Sequence, residues 1–217
     1  MVEEHYRAFI ERVVTPERLA HSLGVMQVIG ELAEVYSLDR DKAMTIGLLH
    51  DAAKDFTPTE QAAIMAEAKI QINDPSEADY THHLHGPVGA YFVRRELGIS
   101  DPLILDAIAS HTFYWRTPTF DDPICWCLRF SDILEPGRNW GAVRWLKTGG
   151  FRLRETVYAG HWQEGAFLHM GALLHWFAED GMPIHPNIRR IHHDLSAQLK
   201  LDGKYLESAM LGAGTEL

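Results

Sequence analysis

The sequence predicts an all-α protein, folded as an irregular helical bundle. No stretch of the 217 residues alternates apolar and polar side chains for long enough to make a convincing β-strand. Helix signals are frequent instead, with proline at the first helical position and glycine just after the last. With 46% hydrophobic residues and no biased tract, the composition is that of a globular protein, and we expect one helical domain over residues 1–217.

Two helices are predicted in the first 51 residues. Thr15 followed by Pro16 predicts a helix over about 16–36, along which apolar residues recur at helical spacing. Asp39 can cap a second helix, because a short side-chain oxygen can accept the unpaired backbone N–H groups of the first turn. That second helix runs into the adjacent polar pair His50-Asp51.

The next stretch predicts one helix and one long loop. Residues 57–60, Thr-Pro-Thr-Glu, combine a proline with a capping box and predict a helix to about Lys69. Residues 70–84 are dense in polar and turn-forming residues and predict a loop. Helix signals then return, and the remaining helices are predicted from Gly86-Pro87 to Gly98, from Asp101-Pro102 through His111, from Asp122-Pro123 through about Leu134, and within 141–179 and 186–210.

Charge and composition exclude several classes of function. Twenty basic and thirty acidic residues give a formal net charge of −10, and a field of this sign repels long polyanions, so we expect no nucleic-acid partner. The first residues lack the basic and apolar regions of a secretory signal, and no apolar run has the length of a membrane span. Cys125 and Cys127 do not have zinc-finger spacing. We therefore expect a cytoplasmic protein that does not bind membranes.

Histidine is abundant, at 13 of 217 residues, and is the commonest metal ligand. His50-Asp51 ends an apolar helix, where an unpaired buried carboxylate is costly and a metal ion reverses the penalty. Adjacent helical residues do not share a face, so an ion bound by both needs further ligands from other helices. Four candidates lie at or near predicted helix boundaries, namely His21, His85, His111 and Asp132.

The residues alone leave other interpretations open. An isolated His-Asp pair is more often hydrogen-bonded than metal-bound, and His82 and His83 are alternatives to His85. The later histidines lack the i, i+4 spacing of ligands on one helix. We interpret these as structural or surface residues: His161, His169, His175, His192 and His193.

The order of these residues resembles the HD-domain superfamily of metal-dependent phosphohydrolases, which is named for the adjacent His-Asp. More narrowly, it is similar to the YqeK-type symmetrical bis(5'-nucleosyl)-tetraphosphatase family, which hydrolyses diadenosine tetraphosphate. In the family's pattern, the histidine directly before Gly-Pro is the ligand, which selects His85. The resemblance covers residues 15–138, and its five blocks are His21–Val25, Gly47–Asp55, Leu84–Ala90, Leu105–Thr112 and Asp132–Arg138.

The resemblance implies an HD-type fold that holds two divalent metal ions, with iron expected and manganese or zinc as alternatives. Imidazole and carboxylate ligands without thiolate suit these metals. Asp51 would be shared between the two ions. The implied ligands are His21, His50, Asp51 and Asp132 for one ion, and His85, His111 and Asp51 for the other; the residues themselves support only their convergence.

The implied activity is symmetrical hydrolysis of diadenosine tetraphosphate to two ADP, by a hydroxide that the dinuclear centre activates. Asp51 and Lys54 are the expected catalytic residues, and Lys54 and Arg138 the expected phosphate-binding residues. Ordinary solvated charges are the alternative role for both cations. A small nucleotide is the expected partner, and a homodimer is left open. The alternative functions are hydrolysis of a nucleoside mono- or diphosphate or other small phosphoester, and a catalytically silent nucleotide-binding module.

Three departures from the family pattern bear on the substrate. Ile133 stands where the family has lysine, which removes one expected cation. Phe113-Tyr114-Trp115 follows His111-Thr112, where the family has small residues. The segment 141–217 is longer than the family pattern, and no motif accounts for it.

Overall fold

The computed structural model describes residues 4–79, 81–112, 117–141 and 143–211, and within them it contains helices and no β-strand. The predicted all-α class is therefore confirmed. A single 3₁₀ turn, Thr81–Leu84, precedes the sixth helix. The α-helices are α1 (Glu4–Val13), α2 (Pro16–Val35), α3 (Arg40–Leu49), α4 (Pro58–Ala68), α5 (Pro75–Asp79), α6 (His85–Leu97), α7 (Pro102–Ser110), α8 (Pro123–Leu134), α9 (Arg144–Tyr158), α10 (Trp162–Glu179), α11 (Pro186–Leu199) and α12 (Gly203–Leu211).

The chain separates into two compact units, Met1–Gly137 and Arg138–Leu217. We call them the first and the second unit. The expected single domain over 1–217 stays a prediction. None of the described helices combines the length and the apolar character that a membrane span needs.

The predicted helix starts are confirmed in atomic detail. The side chain of Thr15 accepts the backbone N–H of Arg18, and that of Asp39 accepts the backbone N–H of Lys42. Thr57 and Glu60 form both hydrogen bonds of the capping box. These caps hold because the first turn of any helix has backbone donors without intrahelical acceptors.

The structure differs from the sequence prediction at two helices, α5 and α1. The predicted loop 70–84 contains α5, whose start at Asp74-Pro75 repeats the Asp-Pro signal of later helices. Helix α1 was not predicted at all. The segment 141–179 holds two helices, α9 and α10. Gly160 lies between them with a positive φ of 88°, a backbone conformation that favours glycine.

The first unit is organised around α2, which packs against α3 and α8. The approach of α3 is close at Gly47, where a Cβ atom would lie 2.9 Å from Met26 Cα and 2.8 Å from Ile29 Cγ2. Helix α6, in the same unit, packs against α7. Since Gly47 lies three residues before His50, the same close approach sets the position of the His-Asp pair.

The second unit packs α10 against α9, α11 and α12. Residues 165–173 of α10 are all buried. Gly171 leaves room for Leu206, since a Cβ there would lie 2.5 Å from a methyl carbon of that side chain. The unit is thus a small helical assembly with a core of its own.

We predict that Gly47→Ala lowers the free energy of unfolding by about 1–3 kcal/mol, because the new methyl group meets rigid backbone of α2. Gly30→Ala is the matched control on α2, since the nearest atoms to its Cβ would belong to flexible side chains, with Met44 Cγ at 3.1 Å and Arg40 Nε at 3.7 Å. That control should be neutral or slightly stabilising, as alanine favours helix. Urea unfolding of both variants measures the difference, and equal stabilities would contradict the close-packing argument.

Candidate metal centre

Five elements of the first unit bring polar side chains to one place. His50 is the C-cap of α3, His111 is the C-cap of α7, and Asp132 lies in the last turn of α8. A helix carries partial negative charge at its C-terminal end, so these three ends favour a cation. His21 comes from the second turn of α2, and His85 is the first residue of α6.

One group of side chains surrounds the Oδ2 atom of Asp51. The Nε2 atoms of His21 and His50 each lie 3.6 Å from that oxygen. Asp132 joins them, with Oδ1 at 3.1 Å from His21 Nε2 and 4.0 Å from His50 Nε2. The group therefore offers two imidazole nitrogens and two carboxylate oxygens to a common point.

A second group surrounds the other oxygen of the same carboxylate. Asp51 Oδ1 lies 3.1 Å from His85 Nε2 and 3.6 Å from His111 Nε2. The two Nε2 atoms are 3.1 Å apart. Asp51 thus faces a different pair of imidazoles with each of its oxygens, and it is 3% exposed.

Backbone carbonyls orient two of the imidazoles. His50 Nδ1 lies 2.8 Å from the carbonyl oxygen of Gly47, and His111 Nδ1 lies 2.6 Å from that of Ile108. A carbonyl oxygen can only accept, so in each ring Nδ1 carries the proton that it donates. The Nε2 atoms are left with lone pairs directed at Asp51, which is the tautomer of a metal ligand.

Burial keeps His50 and His85 neutral, while their contacts keep the Asp51 carboxylate charged. Burial lowers the pKa of His50 to about 4. Burial and then the nearby Lys54 ammonium lower the pKa of His85 to about 3. Burial alone would raise the pKa of Asp51, but the surrounding histidines hold it well below its usual range. Near neutral pH His50, His85 and Asp51 therefore have the protonation states that metal coordination requires.

The donor set fits a divalent metal ion. Nε2 of His50 is buried and has no hydrogen-bond partner among the described residues, although a buried polar atom rarely goes unpaired. The neighbouring donor atoms are 3.1 to 4.0 Å apart, the spacing expected around an ion with bonds of about 2.0–2.2 Å. The six side chains predicted from the sequence therefore converge, while the exact ligand assignment stays a prediction.

Lys54 lies beside the second group, with Nζ at 3.3 Å from His85 Nδ1 and 3.4 Å from His85 Nε2. Arg138 belongs to the second unit, where its guanidinium lies over the ring of Trp140, 5.3 Å from the centroid. Their phosphate-binding roles stay predictions. Ile133 is buried, at 6% exposure, so the residue that departs from the family packs in the core. Phe113-Tyr114-Trp115 lies outside the described residues.

Two further residues touch the cluster and were missed by the sequence analysis. Arg18 donates from Nη1 to Asp51 Oδ2 at 2.8 Å. Glu135 places Oε1 at 3.1 Å from His21 Nδ1. Arg18 stands three residues before His21 on α2, and Glu135 stands three residues after Asp132, at the C-cap of α8. Residues at this spacing lie on one helical face. That spacing was the available signal.

Comparison with known proteins agrees with this geometry. A family model described as HD domain matches residues 18–147. The symmetrical bis(5'-nucleosyl)-tetraphosphatase of Bacillus subtilis is 35% identical over 144 residues, which are 66% of this chain and 74% of that protein. The protein of the same name from Halalkalibacterium halodurans is 33% identical over 135 residues, 62% of this chain and 70% of that protein.

Two further relatives extend the comparison. A probable nicotinate-nucleotide adenylyltransferase/Ap4A hydrolase of Mycoplasma genitalium is 31% identical over 149 residues, 68% of this chain and 39% of that protein. The crystal structure of an HD superfamily hydrolase from Clostridium acetobutylicum shares the fold, with a TM-score of 0.78 at 23% identity over 91% of this chain and 100% of that one. The resemblance inferred from the ordered motifs is thus confirmed, and the chain belongs to the HD domain family.

Proposed function

We propose that this protein is a metal-dependent phosphohydrolase that cleaves diadenosine tetraphosphate symmetrically into two ADP. The observation that carries the proposal is the shared carboxylate of Asp51, which faces His21 and His50 with one oxygen and His85 and His111 with the other. Such a carboxylate is suited to bridge two divalent ions. The substrate is carried over from the relatives named for symmetrical bis(5'-nucleosyl)-tetraphosphate hydrolysis.

The chain's own residues prepare the site for this chemistry. Asp51 would bridge the two ions, and Asp132 would complete the group around His21 and His50. When bound, a pair of divalent ions activates water and offsets the charge that phosphate oxygens gain in the transition state. We propose iron, with manganese or zinc as alternatives, because the family resemblance indicates iron and the imidazole–carboxylate donor set suits all three.

Arg18 already donates to Asp51, so the cation of the cluster that we propose for binding a phosphate is Lys54. Its ammonium is held against His85, at the edge of the second group, and its side chain is half-buried. A preplaced cation costs no reorganisation when charge develops on a phosphoryl group. We propose the same role for Arg138, which is supported only by its place in the motif block Asp132–Arg138. The small nucleotide is the proposed partner, and the homodimer remains a prediction.

One observation favours the alternative of a smaller phosphoester. Ile133 is buried where the family has lysine, so this position supplies no cation to a long polyphosphate chain. The same cluster could then act on a nucleoside mono- or diphosphate. A silent nucleotide-binding module is the remaining alternative, and turnover assays separate the three.

Metal content tests the shared carboxylate. We predict that Asp51→Ala loses both ions, because each group loses an oxygen ligand, whereas His111→Ala loses mainly one. Elemental analysis after anaerobic reconstitution with Fe²⁺, Mn²⁺ or Zn²⁺ measures this. His193→Ala is the matched control, since the His193 side chain is 83% exposed. A parent protein that never holds more than one ion per chain would rule out the two-metal site.

Product analysis tests the bond that is cleaved. Cleavage of the bridge between the two inner phosphorus atoms gives ADP as the sole nucleotide product, whereas cleavage of an outer P–O–P bridge gives ATP and AMP. We expect ADP alone when diadenosine tetraphosphate is incubated with the metal-loaded protein and the products are separated by chromatography. An ATP and AMP pair, or rapid hydrolysis of a mononucleotide beside an inert dinucleotide, would favour the alternative.

Substitution of the cations tests their phosphate roles. Lys54→Ala and Arg138→Ala should each lower kcat/KM at least tenfold, about 1.4 kcal/mol of transition-state stabilisation, with metal content and Tm close to those of the parent. Lys147→Ala, which removes an exposed lysine of α9, is the matched control. Parent-like kcat/KM in both variants would mean that these cations do not act on phosphate, and a collapse of Tm would assign them to the fold.

A further inference from the structure

Glu135 is a buried carboxylate that the proposed mechanism does not yet use. It caps the C-terminal end of α8 and is 5% exposed. Its Oε1 lies 3.1 Å from His21 Nδ1, and its Oε2 accepts the backbone N–H of Gly137 at 2.5 Å. Burying a charged carboxylate is costly unless each oxygen finds a donor, and both oxygens here have one.

Two glycines leave the space in which this carboxylate lies. Gly24 follows His21 by one turn of α2, and a Cβ atom there would lie 2.6 Å from Glu135 Oε2. A Cβ atom at Gly137 would lie 3.0 Å from the same oxygen. Cβ atoms in proteins essentially never approach another heavy atom as closely as 2.6 Å. Any residue larger than glycine at position 24 would therefore displace the Glu135 carboxylate. The sequence His21-x-x-Gly24 thus places a ligand and an opening for its partner on one helix face.

The carboxylate gives His21 a hydrogen-bond partner different from those of the other oriented imidazoles. His50 and His111 donate from Nδ1 to neutral carbonyl oxygens, whereas His21 donates to a full negative charge. A carboxylate partner fixes the tautomer and raises the basicity of the opposite nitrogen. For His21 that nitrogen is Nε2, which faces Asp51 and Asp132.

We propose that Glu135 is a positioning residue that strengthens metal binding at the group containing His21, and that Gly24 serves to admit its carboxylate. The proposal rests on the proposed function, because it presumes that His21 is a metal ligand. The proposal predicts different behaviour for the two groups of the cluster. In the second group, the Nδ1 atom of His111 has a carbonyl oxygen as its partner. The ion at the first group is therefore the one that depends on a buried anion.

Glu135→Gln tests the charge while keeping an oxygen that accepts the Nδ1 proton. With Mn²⁺ as the probe, counted by electron paramagnetic resonance during titration of the metal-free protein, we expect one of two binding steps to weaken about 10- to 100-fold. The other step should keep its parent affinity. Glu77→Gln is the matched control, because Glu77 is also a buried glutamate of the first unit that accepts a backbone N–H, from Asn73 at 2.8 Å.

Gly24→Ala tests the opening independently. In the parent it should weaken the same Mn²⁺ step, because the new methyl group moves the carboxylate away from His21. In a Glu135→Ala background the added methyl group meets no carboxylate, so Gly24→Ala should have no further effect on Mn²⁺ affinity. Such non-additivity identifies residues that act through one contact. Equal effects of Gly24→Ala in both backgrounds would show that Gly24 does not act through Glu135.

The outcomes distinguish this proposal from the proposed function. A parent protein that binds fewer than two Mn²⁺ ions contradicts the two-metal function itself. A parent that binds two, together with a Glu135→Gln variant of unchanged affinity, contradicts only the role of Glu135. Equal weakening of both steps with a fall in Tm would assign Glu135 to folding and overturn the proposal. Loss at one step with an unchanged Tm is the expected result.

Discussion

The burial of the Asp51 carboxylate is the constraint on which the rest of the site depends. A charged carboxylate taken out of water costs several kcal/mol unless cations and hydrogen bonds replace the lost hydration. Contacts with the surrounding histidines favour the charged carboxylate, but burial lowers the pKa of His50 and His85, so these two imidazoles carry little positive charge near neutral pH. Arg18 contributes one charged contact, at 2.8 Å. A divalent cation between the carboxylate and the rings would supply further positive charge, and this geometry supports a metal-dependent function.

Much of the fold could be predicted because its helix starts are local. An Asp or Thr before proline satisfies the first-turn donors without help from distant residues, so such signals are visible in the sequence. Helix α5 was missed although Asp74-Pro75 is the same signal, because five residues are too few to show helical periodicity. Helix α1 has no proline at its start, and Pro16 beyond its end also marks the start of α2; the buried Phe9 and Ile10 are recognisable only once neighbouring helices are in place.

The candidate site could be predicted only in part. The adjacent His50-Asp51 and the order of the other motifs carried the family resemblance, and the resemblance selected His85 over His82 and His83. The spacing of Arg18 from His21 and of Glu135 from Asp132 marks both as neighbours of ligands, but the atoms that they contact belong to other helices and depend on tertiary packing. Ile133 lies within a motif block, but the motif does not predict its burial, which follows from the packing of α8.

The hydrogen bonds that orient His50 and His111 also join the last turns of α3 and α7 to the metal site. Helix ends fray because their final carbonyl groups lack intrahelical donors, and here the imidazoles supply those donors. Opening of either turn would carry a ligand away, so an ion bound in the closed form holds the turn shut by mass action. Metal supply would then control local opening as well as chemistry. A chelator should loosen two helix ends, and speed amide exchange there, in a protein whose core stays folded.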